Sequence, residues 1–227
     1  MTKDELSKLI DHTILGPDVT LEQLESECRR ARDYGFACVF VHPCMVSTAA
    51  EALRGSGVRV GTTCGFPFGQ NVTVTKVCEA RQALRDGAAE IDMVLNVAKL
   101  KSGLLNEVLA DIKEVADAAK AFGRELIGKE PVVKVIMECG LLSESEKIAV
   151  CENVEVTGAD FLKTSTGVLA GGAAVDDVEL LRRYAPGSIA IKASGGIRSL
   201  DDALLMLRAG ATRLGTSAGF SICDAAL

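Results

Sequence analysis

Hydrophobic positions along the chain form short apolar runs separated by longer amphipathic stretches. The short runs are typical of strands buried on both faces, as in a parallel sheet. In the longest stretch between them, Leu105, Leu109, Ile112, Ala116 and Ala119 recur at helical spacing. The pattern therefore predicts helices alternating with eight strands, at residues 10–13, 37–41, 58–63, 90–96, 132–138, 160–165, 189–194 and 212–217.

Three segments share one local pattern, in which a helix tail is followed by Gly-Ala and then by a strand. They are RDGAAEIDMVLN, VTGADFLKTSTG and RAGATRLGTSAG, with Gly87, Gly158 and Gly210 at the junction. Gly35 holds the same place in RDYGFACVFVH. Glycine suits the left-handed position just beyond a helix end, so each segment is predicted to be a helix-to-strand joint.

Helix starts are marked by polar capping signals. Thr20 with Gln23 and Ser143 with Glu146 match the capping box, and Ser199 precedes two aspartates. With the joints, these signals give a strand-helix repeat of about 30 residues, which is typical of parallel βαβ units.

Eight such units in 227 residues match the size of a closed (β/α)8 TIM barrel of the α/β class. A doubly wound open sheet is the alternative, but no G-x-G-x-x-G follows the first strand. No linker or low-complexity tract divides the chain. We therefore expect one barrel domain over residues 1–227.

Composition narrows the functional classes. The 25 Lys and Arg residues face 31 Asp and Glu residues, and the net charge of −6 disfavours nucleic acid as a partner. No apolar run has the length of a signal peptide core or a membrane span, so we expect a cytoplasmic protein with no membrane partner. Eight scattered cysteines and only two histidines indicate neither disulfides nor a metal site, and no cofactor is expected.

Polar residues inside the strands are the candidates for chemistry. In a parallel barrel the outward face packs on helices, so polar residues at alternate positions should point inward. This places Asp92, Lys163 and Lys192 in the interior, with Lys134 and Glu138 on the inward face of the fifth strand. Asp92 and Lys163 each follow a joint glycine by five residues, which predicts a shared height in the barrel.

A cluster of lysines with an aspartate permits two interpretations. The residues could form structural ion pairs, since buried lysines are almost always paired. Alternatively, a desolvated lysine beside other cations loses its proton and attacks a carbonyl to form a Schiff base, while a carboxylate and a second lysine move protons. Convergence of several charges on one cavity favours the functional interpretation.

Glycine-rich runs follow the later strands and indicate a phosphate site. TSTGVLAGG follows Lys163, SGGIRS follows Lys192, and GTSAG closes the last strand. Backbone N–H groups in such loops bind phosphate, and barrels commonly build these sites after strands seven and eight. The candidate phosphate residues are Gly195, Gly196 and Ser217, followed by Ser194 and Gly167.

These residues carry a resemblance to the deoxyribose-phosphate aldolase family of class I aldolases. LIDHTIL, GFPFGQNVTVTKVCEA, GAAEIDMVLN, GADFLKTSTG, IKASGGIRSLDDAL and GATRLGTSAG resemble family segments and follow in family order. The resemblance covers almost the whole chain, and FLKTSTG together with KASGGIR is highly specific.

The resemblance implies a role for each site residue. Lys163 would be the Schiff-base lysine, Lys192 the second active-site lysine and Asp92 the proton-relay aspartate. Gly195, Gly196 and Ser217 would hold the phosphate, while Lys134 and Asp11 would line or support the pocket. The implied reaction is reversible cleavage of 2-deoxy-D-ribose 5-phosphate to acetaldehyde and D-glyceraldehyde 3-phosphate, in deoxynucleoside breakdown, by a homo-oligomer.

The sequence departs from the family at several positions. Many relatives have Lys in place of Gly16, and some have a basic residue in place of Val168, which could weaken the grip on phosphate. Some relatives also carry a C-terminal tyrosine that reaches the site, whereas this chain ends in Asp-Ala-Ala-Leu. His42 stands where relatives often have Asn or Tyr, and it is interpreted as a pocket-edge or structural residue.

Three rival functions remain open at this stage. Another Schiff-base sugar-phosphate aldolase or a transaldolase would keep the lysine and the phosphate loops. A non-catalytic barrel would bind a sugar phosphate without forming an imine. A phosphate-binding isomerase is less consistent, because no Glu and His pair for proton shuttling is evident.

Overall fold

All eight predicted strands are present in the computed structural model, which describes residues 1–226. They close into a parallel barrel in sequence order, and this confirms the (β/α)8 prediction over the open sheet. Their bounds are β1 Ile10–Ile14, β2 Cys38–Val41, β3 Arg59–Cys64, β4 Glu90–Val94, β5 Val132–Ile136, β6 Phe161–Lys163, β7 Ala190–Ser194 and β8 Arg213–Thr216.

Ten α-helices surround the barrel or cover its ends. They are α1 Lys3–Ser7, α2 Leu21–Tyr34, α3 Val46–Ala52, α4 Thr73–Arg85, α5 Val97–Lys101, α6 Leu105–Ile127, α7 Glu144–Asn153, α8 Val175–Tyr184, α9 Leu200–Arg208 and α10 Gly219–Asp224 in the described part of the chain. Short 3-10 turns at Pro43–Met45, Cys139–Leu141 and Val154–Thr157 complete the connections. No helix among residues 1–226 has the length and apolar character needed to cross a membrane.

The predicted joints and caps are confirmed. Each of the four joint glycines has a positive φ, so the chain turns from helix to strand at the predicted places. Thr20, Ser143 and Ser199 cap helices α2, α7 and α9 in complete capping boxes. These local signals fix where helices begin and end, and thereby set the spacing of the strands.

Apolar side chains fill the layer between strands and helices. The outward-facing Ile91, Met93, Val133 and Val135 are fully buried there, together with Val108, Ile112 and Val115 of α6. The hydrophobic core therefore lies outside the strands, and it leaves the barrel interior for other residue types.

The pairing register determines how the interior is layered. The register can be followed from Asp11 through the paired Cα atoms of β2 to β8 and back to the first strand. This path ends eight residues before Asp11, so the strands are staggered by eight residues around the barrel. At this stagger, the residues at one height come from alternate strands. Towards the carboxyl ends of the strands, the layers are Cys38, Glu90, Phe161 and Arg213; then Asp11, Gly61, Lys134 and Lys192; then Phe40, Asp92, Lys163 and Gly215; then Thr13, Thr63, Ile136 and Ser194.

The strands of the barrel run from Ile10 to Thr216. Leu227, the last residue of the predicted domain, lies outside the described residues. The assignment of residues 1–227 to one domain stays a prediction.

Candidate active site

Three lysines surround one aspartate in the barrel interior. The Nζ of Lys163 donates to Oδ2 of Asp92 at 2.9 Å, and the Nζ of Lys192 donates to the same oxygen at 2.8 Å. The Nζ of Lys134 donates to Oδ1 of Asp92 at 2.9 Å. Asp92, Lys134 and Lys192 are fully buried, and Lys163 is 4% exposed. The barrel therefore brings the predicted inward residues into direct contact.

Two further carboxylates lie below Asp92 and engage the other lysines. Oδ2 of Asp11 lies 2.5 Å from the Nζ of Lys192 and 3.7 Å from that of Lys134. Glu90 accepts from Lys134, and Arg213 bridges Asp11 and Glu90 at 2.7 and 3.3 Å. Lys134 and Lys192 thus each contact more than one carboxylate.

Lys163 has the fewest anionic partners of the three lysines. Its ion pair is with Oδ2 of Asp92, an oxygen that it shares with Lys192. Burial lowers the pKa of Lys163 to about 8, since the charges of Lys192 and Lys134 add to burial and Asp92 compensates only in part. A substantial fraction of Lys163 is therefore neutral near physiological pH.

The charges of Asp92 and Lys134 are held more firmly. Burial opposes ionisation of Asp92, but the surrounding ammonium groups of Lys134, Lys163 and Lys192 outweigh it and keep its pKa well below the usual range. Burial likewise opposes the charge on Lys134, but the carboxylates around it raise its pKa. The cluster therefore combines an ionised carboxylate, charged amines and one amine that readily loses its proton.

A cavity of about 630 Å³ opens at the carboxyl ends of the strands, with Lys163 in its wall. It is the place where active sites of this architecture lie. The predicted phosphate residues all line it: Gly167, Ser194, Gly195, Gly196 and Ser217. Asp92, Lys192, Lys134 and Asp11 do not contribute to this wall and lie in or below the layer of Lys163.

Lys134, which the resemblance implies would line or support the pocket, lies beneath the cavity. Its side chain lies one layer below Lys163, and its ammonium group contacts Glu90 and Asp92. Because its amine is fully buried and paired with those carboxylates, Lys134 belongs to the charge network under the cavity and not to the cavity wall.

Two loops that contribute to the cavity wall pack backbone against backbone. A Cβ at Gly172 would lie 2.4 Å from the carbonyl oxygen of Gly195, and one at Gly195 would lie 3.0 Å from Cα of Gly172. The N–H of Ala173 donates to the Gly195 carbonyl at 2.9 Å. Only glycines allow this approach, which joins the loop after Lys163 to the loop after Lys192.

The sequence placed Glu138 on the inward face of the fifth strand but gave it no role in the site. It is fully buried two residues beyond the end of β5 and is the one non-glycine residue with a positive φ, 42°, among residues 1–226. Its Oε2 accepts from the N–H of Thr166 at 3.1 Å and from the Thr166 hydroxyl, while its Oε1 has no protein partner. The sequence feature that could have indicated a role was a carboxylate at the end of an otherwise apolar predicted strand.

Arg198 and Phe40 were also missed. Arg198 lines the cavity beside Gly196, and its signal was the basic residue ending SGGIR. Phe40 is 1% exposed and lies in the same layer as Lys163. Its apolar strand context is indistinguishable in sequence from ordinary core.

The departures from the family pattern fall in three places. Gly16 and Val168 both line the cavity, and neither supplies a charge. His42 lies with its Nε2 3.1 Å from the carbonyl oxygen of Leu15, a contact that ties the loop after β2 to the loop after β1. At the C-terminus, Asp224 accepts from Lys3 and from the Tyr34 hydroxyl, which docks α10 against α1 and α2.

One group of potential metal ligands exists among residues 1–226, formed by Asp11, Cys38 and Glu90. Both carboxylates already contact buried lysines or Arg213. Burial raises the pKa of the Cys38 thiol well above its usual value, which disfavours the thiolate that a metal requires. The donor set therefore suits ion pairing better than metal binding.

The (β/α)8 fold and the lysine of lowered pKa in the wall of its cavity together define the class of barrel enzymes with a reactive lysine. The family model described as "DeoC/LacD family aldolase" matches residues 6–225. The chain belongs to the DeoC/LacD family of aldolases.

Individual relatives agree with this assignment. A deoxyribose-phosphate aldolase of Caldanaerobacter subterraneus subsp. tengcongensis is 49% identical over 219 residues, which cover 96% of this chain and 92% of the relative. One from Geobacillus sp. strain WCH70 is 46% identical over 98% of this chain and 96% of its own length. The structure of the deoxyribose phosphate aldolase from Aeropyrum pernix, described as tetrameric, superposes with a TM-score of 0.89 at 33% identity, over 98% of this chain and 91% of that one.

Proposed function

We propose that the protein reversibly cleaves 2-deoxy-D-ribose 5-phosphate to acetaldehyde and D-glyceraldehyde 3-phosphate through a Schiff base on Lys163. The observation that carries the mechanism is the position of Lys163. Among the three clustered lysines it alone lines the cavity, and burial lowers its pKa to about 8. The 49% identical relative with the deoxyribose-phosphate aldolase name supports the substrate.

Covalent catalysis begins with the neutral amine of Lys163. Its lone pair attacks C1 of the open-chain sugar, and the carbinolamine loses water to give a protonated imine. The C3 hydroxyl then gives up its proton, and the C2–C3 bond breaks with its electron pair moving towards the imine nitrogen. D-glyceraldehyde 3-phosphate leaves, and an enamine remains on Lys163. The imine serves as the electron sink, so this step needs no cofactor.

Proton transfer belongs to Asp92 and Lys192. Asp92 is an ionised carboxylate within 2.9 Å of the Lys163 nitrogen, and Lys192 donates to the same oxygen. Through a water molecule this pair takes the C3 hydroxyl proton and returns a proton to C2 of the enamine. Hydrolysis of the resulting imine releases acetaldehyde and the free lysine.

The phosphate of the sugar binds at the other end of the cavity. Gly167, Gly195 and Gly196 all have positive φ values, so their loops can turn N–H groups towards an anion. Ser194 and Ser217 supply hydroxyl groups, and Arg198 supplies a positive charge in the same wall. These groups hold the phosphate while C1 reaches Lys163.

Replacement of Lys163 by Leu tests this function. The variant should lose turnover, measured as acetaldehyde release coupled to alcohol dehydrogenase, and should still bind the sugar phosphate in calorimetry. Lys113→Leu is the matched control, because Lys113 is an exposed residue of α6 paired with Asp117. Retained turnover in Lys163→Leu would contradict the mechanism, and turnover of other sugar phosphates without acetaldehyde release would favour a transaldolase or another aldolase.

Homo-oligomerisation stays a prediction for this chain. The support for it is the tetrameric Aeropyrum pernix relative. Sedimentation velocity at several protein concentrations gives the oligomeric state directly.

A further inference from the structure

The ring of Phe40 lies against all three lysines of the cluster. Its centroid is 3.7 Å from the Nζ of Lys192, 4.5 Å from that of Lys134 and 5.8 Å from that of Lys163. The electron-rich face of an aromatic ring attracts a cation, and the attraction grows where water is excluded. Phe40 therefore favours positive charge on Lys192 most and on Lys163 least.

The interior is shaped to keep the ring in this position. A Cβ at Gly61 would lie 2.4 Å from Cζ of Phe40, so the ring occupies the space that a side chain on β3 would fill. A Cβ at Gly215 would lie 3.0 Å from Cε of Lys192, so the missing side chain on β8 leaves room for the lysine stem. Two glycines in adjoining layers thus let the ring and the ammonium group meet.

The carboxylates act in the same direction as the ring. Oδ2 of Asp11 lies 2.5 Å from the Nζ of Lys192, and the Asp92 oxygen that pairs with Lys163 also pairs with Lys192. The charged groups around Lys192 are Asp11 on β1, Asp92 on β4, Lys134 on β5, Lys163 on β6 and Arg213 on β8. Asp92, which pairs with Lys163, therefore also pairs with Lys192, and Lys192 lies closer to the ring than Lys163 does.

We propose that Phe40 is a positioning residue that holds the positive charge on Lys192, and so leaves Lys163 as the neutral nucleophile. The inference rests on the proposed imine at Lys163 and adds the reason why that lysine reacts. A charged Lys192 repels a second charge on Lys163 and lowers the pKa of Lys163, in addition to the effect of burial. Without the ring, the ammonium group of Lys192 loses its aromatic contact, and charged Lys163 gains population.

Replacement of Phe40 by Leu removes the aromatic face and keeps an apolar side chain. The readout is the pH dependence of borohydride trapping with acetaldehyde, followed by peptide mapping of the labelled lysine. We expect the acid limb of the trapping rate to move to higher pH, with a roughly three- to ten-fold lower rate at neutral pH. We also expect label on Lys192 in addition to Lys163.

Phe161→Leu is the matched control. Phe161 lies two layers below Phe40 at the lower end of the barrel interior, where its ring is 5.8 Å from Lys134 and 5.6 Å from Arg213. The same loss of an aromatic ring there should leave the acid limb and the site of labelling unchanged. An equal shift in both variants would indicate a general loosening of the interior and would overturn the inference.

Fluorinated phenylalanines at position 40 provide a second measurement if Phe40→Leu fails to fold. Fluorination weakens the ring's attraction for cations while nearly preserving its shape, so the acid limb should move stepwise with fluorine content. An unchanged limb with label confined to Lys163 would overturn the role of Phe40. Absence of label on any lysine of the natural protein would instead contradict the proposed function, so the two failures are distinguishable.

Discussion

Lys163 differs from its two neighbours in the number of carboxylates that it contacts and in its access to the cavity. Lys134 contacts Glu90 and Asp92, and Lys192 contacts Asp11 and Asp92, whereas Lys163 contacts Asp92. In a dry interior, each missing anion makes the charged amine less stable. The same residue that most readily becomes neutral is therefore the one that a carbonyl can reach.

The pH dependence of catalysis follows from this residue. Protonated Lys163 cannot attack a carbonyl, so kcat/KM should fall about tenfold per pH unit below the pKa of about 8 and level off above it. Initial rates between about pH 6 and about pH 9.5 measure the limb. Circular dichroism at each pH excludes unfolding, and a profile that stays flat down to about pH 6 would contradict the assignment.

Replacement of Asp92 by Asn separates the charge of this residue from its shape. Turnover should fall about 10²- to 10⁴-fold, because the proton relay loses its base. The acid limb should also move to lower pH, since the charge of Asp92 raises the pKa of Lys163.

Asp201→Asn, at an exposed position in the first turn of α9, is the control for the Asp92 variant. It should leave both turnover and the acid limb unchanged. An Asp92→Asn enzyme with near-normal turnover would exclude Asp92 from proton transfer.

Alternation along the strands was enough to predict that Asp92, Lys163 and Lys192 face inward. It could not predict that Phe40 meets their ammonium groups, because that contact depends on the stagger of strands far apart in sequence. The same limit applies to Lys134. Its inward direction was readable, but its depth below the cavity was not.

At the level of elements, the turn after β6 is hydrogen-bonded to the segment that follows β5. The backbone N–H and hydroxyl of Thr166 both donate to Glu138, whose backbone adopts the left-handed conformation that only glycine adopts without strain. Strain of this kind persists where the surrounding contacts over-determine it. These two hydrogen bonds from Thr166 to Glu138, here called the clamp, fix the loop that carries Gly167 relative to Lys163.

Two replacements of Glu138 separate the effect of its hydrogen bonds to Thr166 from the effect of its strained backbone. Glu138→Ala should raise KM for the sugar phosphate about tenfold, with a smaller change in kcat, because the loop that carries Gly167, a proposed phosphate residue, is released. Glu138→Gly should show the same rise in KM but retain more stability, since glycine accepts the positive φ.

The exposed Glu152→Ala in α7 controls for loss of a carboxylate elsewhere. Steady-state kinetics and thermal unfolding of the three variants give the comparison. An unchanged KM in both Glu138 variants would show that the clamp has no part in binding.

The elements were predictable to different degrees. Joints and caps depend on one or two residues at fixed spacing, and their positions were correct. The predicted ends of β4, β5 and β6 were each two residues too late, and β6 ends at Lys163 instead of residue 165. Beyond Lys163, the Thr164 hydroxyl accepts from the N–H of Ser194 and donates to its carbonyl, so a side chain joins the backbone hydrogen bonds there. Cross-strand hydrogen bonds of this kind produce no periodic pattern in the amino-acid sequence.

On the scale of the whole molecule, the barrel separates two kinds of packing. Apolar side chains fill the space between strands and helices, while the interior holds a stack of ion pairs from strands distant in sequence. Arg213 and Asp11, for example, are 202 residues apart and lie 2.7 Å from each other. Closure of the barrel is thus required before the contacts of this cluster exist.

Interior packing leads to a stability prediction at Gly61. Alanine there would place a methyl group 2.4–2.8 Å from the ring atoms of Phe40, which is fully enclosed and bordered by lysines. Overpacking of this kind costs about 1–3 kcal/mol of unfolding free energy. Gly187→Ala is the control, because a Cβ at Gly187 meets nothing within 4 Å. Urea unfolding measures both variants, and equal stabilities would contradict the layered packing.

The most direct test of the account is borohydride reduction in the presence of acetaldehyde, followed by peptide mass mapping. We expect one reduced adduct, on Lys163, that forms faster as the pH rises towards the pKa of about 8. An adduct on Lys134 or Lys192 in its place, or no adduct in a folded sample that still binds the sugar phosphate, would contradict it.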